Sequence, residues 1–245
     1  MWYGQKQYAV RCEWGEHGVR ALGGISDVLV IVDVLSFSTS VAVAVERGGI
    51  VWPFPLGERG PEDFAKSVGA ALAVKRGVPG LSLSPASMLD IANETKVVLP
   101  SPNGSALTHQ ARELGSIVLA GSLRNAVAVA KAAMQLGSSV GVIPAGERWS
   151  DGRLRPALED LIGAGAIVAS LTGERSPEAD AAAQVFASVA DRLHETLCKT
   201  GSGRELVERG FPDDVRIAAE YDVSNHVPVL RRLENRTHAF CGTEV

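Results

Sequence analysis

Residues 28 to 40, Val-Leu-Val-Ile-Val-Asp-Val-Leu-Ser-Phe-Ser-Thr-Ser, run apolar, carry one ionisable side chain at Asp33, and then turn rich in hydroxyls. An unbroken Val/Ile/Leu run without alternation is the pattern of a parallel strand covered on both faces. The residues that follow, Ser36, Ser38 and Thr39 among them, are of the type that opens helices, where free amides and the positive dipole end attract phosphate or carboxylate. An Asp between such a strand and such a helix stands outside the carboxyl edge of a sheet, where open α/β folds bind ligands. Asp33 is equally suited to capping the turn after it.

Similar apolar runs recur at 50–54, 96–100, 116–121 and 139–144, with helical patterns at 39–48, 61–76, 105–114 and 123–136 between them. Strands alternating with helices over short connections predict βαβ units. Helix then follows helix at 157–171, at 177–197 behind the start signal Ser176-Pro177-Glu178, and at 202–209 before Gly210. The expected fold is therefore a three-layer α/β/α arrangement with a mainly parallel sheet, the helix-rich C-terminal third packing on it. Segments 227–230 and 237–240 read as edge strands, because Pro228 lacks the N–H a central strand uses. Nothing resembles a linker, so residues 1–245 are expected to form a single domain. A faint echo relates 36–45 to 122–130, as if two strand-to-helix units were alike.

A chain of 245 residues with 46% hydrophobic content can bury one sizeable core. Its net charge of −4 argues against a nucleic-acid partner, whose footprint is a basic stripe. Three scattered cysteines, Cys12, Cys198 and Cys241, write neither a disulfide framework nor a metal motif. Asp33 and its Ser/Thr neighbours interrupt the longest apolar stretch, which argues against a membrane span. A cytoplasmic protein is expected, with a two-fold homodimer as the default assembly.

Four polar clusters each follow a strand and precede a helix, which in a parallel sheet brings them to one edge. The first is Asp33 with Ser36, Ser38 and Thr39. In the second, Ser101-Pro-Asn-Gly-Ser105, Asn103 and Gly104 suit a turn and Ser105 suits a helix cap. The third, Gly121-Ser-Leu-Arg-Asn125, puts Ser122, Arg124 and Asn125 at a helix start, where Arg suits a bound oxyanion as well as a salt bridge. The fourth is the polar loop 144–153, containing Gly146, followed by Glu159 and Asp160 in the first turn of a helix. Paired carboxylates facing a phosphate site suit Mg²⁺, which binds through one or two carboxylates plus substrate oxygens. Acids there are also good partners for the helix dipole.

In this order, the clusters resemble the 2-phosphosulfolactate phosphatase family over about residues 28 to 231. The family's Ile-Asp-Val-Leu-Arg-Ala-Thr-Thr-Thr reads Val32-Asp-Val-Leu-Ser-Phe-Ser-Thr-Ser40 here. Thr-Thr-Asn-Gly-Thr reads Ser101-Pro-Asn-Gly-Ser105, and Gly-Ser-Phe-Xaa-Asn reads Gly121-Ser-Leu-Arg-Asn125. Cys-Ala-Gly and a Glu-Asp pair correspond to Pro144-Ala-Gly146 and Glu159-Asp160. Later segments match at Gly203-Arg-Glu-Leu206, Gly210-Phe211, Asp214-Val215 and Val227-Pro-Val-Leu230. Three departures stand out. Ser36 replaces an Arg, Val74-Lys-Arg76 keeps Arg76 of Gly-Glu-Arg but not its acid, and only Ser84-Pro85 persists of Gly-Asn-Ser-Pro.

The resemblance implies a Mg²⁺-dependent phosphatase of the kind that serves coenzyme M biosynthesis, acting on a small phosphorylated acid. It places Asp33, Glu159 and Asp160 at the metal and in catalysis. Anion binding falls to Ser36, Ser38, Thr39, Arg76, Asn103, Gly104, Ser105, Ser122, Arg124, Asn125 and Gly146. Whether Asp33 is ligand, base or nucleophile stays open, although Leu35 stands where aspartyl phosphatases carry a second Asp. The rival readings are a non-catalytic anion-binding protein on the same fold and a non-hydrolase enzyme of phosphorylated hydroxy acids.

Overall fold

The computed structural model describes residues 2–56 and 60–244. Among these residues a nine-stranded sheet runs in the order β1-β7-β2-β6-β10-β11-β3-β5-β4. Its parallel strands are β1 (Val10–Cys12), β2 (Val28–Val32), β3 (Ile50–Pro55), β4 (Ala71–Leu72), β5 (Lys96–Ser101), β6 (Ile117–Gly121) and β7 (Val140–Pro144). Helices cover both faces, as the unbroken apolar runs predict. Along β2, Val28, Val30 and Val32 join the core on one face, while Leu29 and Ile31 join the core on the other. The first core is closed by α5 (Ala126–Leu136), α6 (Leu158–Ser170) and α7 (Pro177–Ala187), and the second by α1 (Gly15–Leu22), α2 (Phe37–Glu46) and α4 (Gly104–Glu113). The echoing helices α2 and α5 follow the adjacent strands β2 and β6 but pack on opposite faces.

Helix α2 is buried along its length from Phe37 to Val45, the hydroxyls of Ser38 and Thr39 being turned back onto backbone carbonyls. The sheet coils about it. Strands β2 and β5 are five steps apart, which in a flat sheet is roughly 24 Å at the usual strand spacing. Yet the Gly104 N–H, just after β5, donates to Asp33 Oδ2, just after β2, at 3.3 Å. Gly104 permits this approach, because a Cβ there would overlap the buried Phe37 ring.

Three expectations need correction. Segments 226–232 (β10) and 238–244 (β11) form an antiparallel hairpin in the middle of the sheet rather than at its edge. Pro228 is tolerated there because β10 meets β6 through one registered pair, Val229 with Leu119. The helix expected over 61–76 ends at Val68 (α3, Pro61–Val68), stopped by left-handed Gly69 at φ 64°, and the chain turns into β4. The helix expected over 177–197 breaks after α7, and α8 (Leu193–Lys199) follows a separate 3₁₀ turn. Its predicted start holds, since Ser176 Oγ accepts the Ala179 N–H at 3.1 Å. The remaining helices, α9 (Gly201–Glu208) and α10 (Pro212–Ala218), complete the C-terminal third. No helix of the described residues is long and apolar enough to cross a membrane.

Gly104→Ala should destabilise the protein by about 1–3 kcal/mol, the usual range for overpacking a filled core. Urea unfolding would check it, and an unchanged midpoint would show that Phe37 has room to move.

Candidate active site

Asp33 is 7% exposed at the carboxyl end of β2. Its Oδ1 accepts the Phe37 N–H at 3.2 Å, capping α2, and its Oδ2 accepts the Gly104 N–H that opens α4. The carboxylate therefore draws two helix N-termini together. Ser38 and Thr39 build the turn beneath it. Ser38 Oγ accepts the Asp33 N–H at 2.8 Å and donates to the Ile31 carbonyl, while Thr39 Oγ1 donates to the Val34 carbonyl.

The end of β7 is fixed by a second buried carboxylate. Asp160, in the first turn of α6, accepts the Val34 N–H and the Gly146 N–H, both at 2.8 Å. Gly146 turns at φ 70°, a conformation open to glycine, and a Cβ there would press on Leu154 and the Arg155 carbonyl. The polar loop beyond it is a small hairpin of β8 (Glu147–Arg148) and β9 (Leu154–Arg155). Glu147 accepts the Asn103 Nδ2–H at 3.1 Å. Glu159 is 2% exposed, and its Oε2 is buried without a hydrogen-bond partner.

Two cavities meet at Pro102, Glu147 and Arg148. The larger, about 630 Å³, is lined by Ser36, Lys75, Arg76, Arg148, Arg155 and Arg209 among others, with Glu147 and Glu205 as its acids. The smaller, about 430 Å³, contains Asn103. Arg76 binds the Asp33 turn, donating from one nitrogen to the Leu35 carbonyl at 3.2 Å, Ser36 Oγ at 3.1 Å and the Leu83 carbonyl at 2.6 Å.

The expected residues thus divide by place. Asp33, Ser36, Arg76, Asn103, Gly104, Gly146 and Asp160 are drawn to one region by these contacts, and Glu159 precedes Asp160 there; of the carboxylates expected at the site, Asp33, Glu159 and Asp160 are buried behind the cavity walls and line neither cavity. Ser105 lies near it but turns its hydroxyl back to the Leu99 carbonyl instead of capping α4. Ser122 and Asn125 satisfy each other, and Asn125 also donates to the His226 carbonyl. Arg124 is buried between Glu46, at 3.1 Å, and Glu220, and lines neither cavity. Its salt-bridge reading describes this placement. Glu147 was legible only as part of a polar loop; the signal was an acid directly after the glycine that ends a strand. Ser84 and Asp214, described below, were marked only by the resemblance, as parts of Ser84-Pro85 and Asp214-Val215.

Burial dominates the electrostatics, and crowding of carboxylates adds to it. Burial, then Glu147, pushes the Asp33 carboxyl up to about 7 against the opposing pull of the two amides and Arg76. Burial, then Asp33 and Glu159, holds Asp160 well above the usual carboxylate range. Burial also raises Glu147, with Glu159 adding to the repulsion and the Asn103 hydrogen bond opposing it. A carboxyl held at about 7 instead of 3.8 binds its proton more tightly in the folded state, so its contribution is fully present below about 4 and is lost as pH rises to about 7. Glu147→Gln keeps the acceptor for Asn103 and removes one repelling charge. In EDTA its melting temperature should exceed the parent's at pH 8, with the gap closing by pH 4; a parent more stable at pH 8 would refute the repulsion.

The 2-phosphosulpholactate phosphatase family model matches residues 67–232. A 2-phosphosulfolactate phosphatase of Methanothermobacter thermautotrophicus is 31% identical over 212 residues, 84% of this chain and 88% of that protein. Proteins named probable 2-phosphosulfolactate phosphatase from Carboxydothermus hydrogenoformans and Thermus thermophilus are 30% and 32% identical over 216 residues each, covering 85% and 84% of this chain and 88% of each relative. A family model spanning more than half of the sequence, and relatives aligned over most of their own length, establish that the chain belongs to the 2-phosphosulpholactate phosphatase family.

Proposed function

We propose that this chain is a metal-dependent phosphomonoester hydrolase acting on 2-phosphosulfolactate or a related 2-phospho-hydroxy acid, releasing phosphate and the hydroxy acid. The observation that carries the reading is a group of crowded carboxylates, Asp33, Glu147, Glu159 and Asp160, that reaches through Glu147 a cleft ringed by Lys75, Arg76, Arg148, Arg155 and Arg209. An anion is attracted by the cations, while the carboxylates offer the oxygen donors a hard cation requires.

Among the described residues no three His, Cys, Asp or Glu side chains are close enough to hold a metal by themselves. The donor chemistry still fits one, because Mg²⁺ characteristically takes one or two carboxylates and leaves its other positions to water and substrate phosphate. Glu159, with its unpartnered buried oxygen, and Asp33 are the residues that would hold it. Asp160, which like Asp33 accepts a backbone amide at each oxygen, would fix the loops around it. When bound, Mg²⁺ supplies positive charge that polarises the phosphoryl group.

The protein's own part is positioning and electrostatics. Arg76, at the Asp33 turn, orients the phosphoryl oxygens, and Arg148 and Arg155 draw in the acid groups at the other end of the substrate. Glu147, facing both cavities with a raised affinity for protons, takes the proton of the attacking water at its carboxylate. Asn103 holds that carboxylate in place.

Phosphate release from 2-phosphosulfolactate and from phospholactate, with Mg²⁺ and with excess EDTA, tests the reading. Release should require the metal, and Asp33→Asn and Glu147→Gln should each lower kcat by about 100-fold or more, the scale seen when one transition-state partner is removed. Glu159→Gln should raise the Mg²⁺ concentration needed for half-maximal rate. Metal-independent release would refute the cation site, and no release from either acid by a protein that binds them would point to a binding protein or a non-hydrolase.

A further inference from the structure

Arg76 does not reach the Asp33 turn unaided. On its far side lies Asp214, 1% exposed in the first turn of α10, with Oδ2 at 3.2 Å from the second terminal nitrogen of Arg76. The other oxygen, Oδ1, accepts the Ser84 Oγ–H at 2.5 Å and the Ala86 N–H at 3.2 Å. Ser84 is itself buried, and its N–H donates to Ser82 Oγ. The Phe211 ring stands 5.8 Å from the guanidinium carbon and adds a further wall. Three parts of the chain distant in sequence, the 82–87 turn, the start of α10 and the β2–α2 turn, therefore converge on one arginine.

We propose that Asp214, held by Ser84, is a positioning residue that keeps the Arg76 guanidinium against the Asp33 turn, ready for a phosphate oxygen. Burial, and to a lesser degree Arg209, lowers the affinity of Arg76 for its proton, and Asp214 first, then Asp33 and Glu205, offset this. Arg76 itself lines the larger cavity, where an arriving anion would meet it, whereas Asp214 lines neither cavity and stays paired. The arginine is thus anchored from behind and available in front. Asp214 itself lines neither cavity, so it acts through Arg76 and not on the substrate. This role rests on reading the cleft as a phosphate site.

Calorimetric titration of the full chain with inorganic phosphate, in excess Mg²⁺, tests the assignment independently of turnover. Asp214→Asn keeps an acceptor for Ser84 and removes the charge, and it should weaken phosphate binding about tenfold, a loss of about 1.4 kcal/mol. Because Asp214 works through Arg76, Arg76→Ala combined with Asp214→Asn should bind no more weakly than Arg76→Ala alone. Free guanidinium should restore part of the phosphate binding to Arg76→Ala but not to the double variant. Should Asp214→Asn fail to fold, Ser84→Ala carries the test, with an expected loss of a few-fold that likewise vanishes when Arg76 is absent. Parental phosphate affinity in Asp214→Asn or Ser84→Ala, or losses that multiply with Arg76→Ala, would overturn the role. A purely structural Asp214 would lower the melting temperature and leave the phosphate affinity of the folded protein unchanged. A parent that neither binds phosphate nor releases it from 2-phosphosulfolactate would sink the phosphatase reading, and this role with it; a parent that hydrolyses while the variants bind normally would sink only the role of Asp214.

Discussion

Three loops meet at the carboxyl edge of the sheet because two buried carboxylates, Asp33 and Asp160, each accept backbone amides from two of them. Asp33 joins the starts of α2 and α4, and Asp160 joins the β2–α2 turn to the end of β7. Buried carboxylates without such partners would be costly, and buried amides without acceptors nearly as much, so each group satisfies the other. The same economy of hydrogen bonds leaves charge repulsion unrelieved. The amides neutralise dipoles, not the full negative charge, and the edge of the sheet retains an appetite for cations.

The coil of the sheet follows from what α2 demands. A helix buried from Phe37 to Val45 must be enclosed, and a flat sheet covers only one side of it. The 3₁₀ turn at Pro85–Met88 and the start of α4 cover more of it, and Gly104 against Phe37 sets how close α4 and α2 can come. The geometry that completes the hydrophobic core is thus the geometry that brings the Asn103–Gly104 turn to Asp33.

Local pattern read much of this in advance. The strand at 28–34, the helix start at Ser176 and the stop at Gly210 are governed by neighbours in sequence, and they are found where the residues place them. The position of residues 226–244 was misread because Pro228 speaks only of a missing N–H; which strands lie on either side is decided by topology. Asn103-Gly104 was read as a turn through backbone freedom, yet Gly104 is required for want of a side chain beside Phe37. Arg124 shows the limit for the site. An arginine at a helix start looks the same in sequence whether it faces a ligand or two acids, and Glu46 and Glu220 are separated from it by many residues. The grouping of Ser84, Asp214 and Arg76 is invisible for the same reason.

The hairpin of β10 and β11 has a consequence for how the chain acquires its structure. It joins the two parallel blocks of the sheet, meeting β6 through the pair Val229–Leu119 and β3 through the pair Phe240–Val51. Strand β3 and its partner β11 come from opposite ends of the sequence, so this closure is a long-range event that loop entropy delays. Until it happens, β6 and β3 each present an open strand edge, the surface through which chains pair wrongly with one another. Folding yield is therefore expected to depend on the speed with which the last strands insert, whatever the stability of the finished molecule.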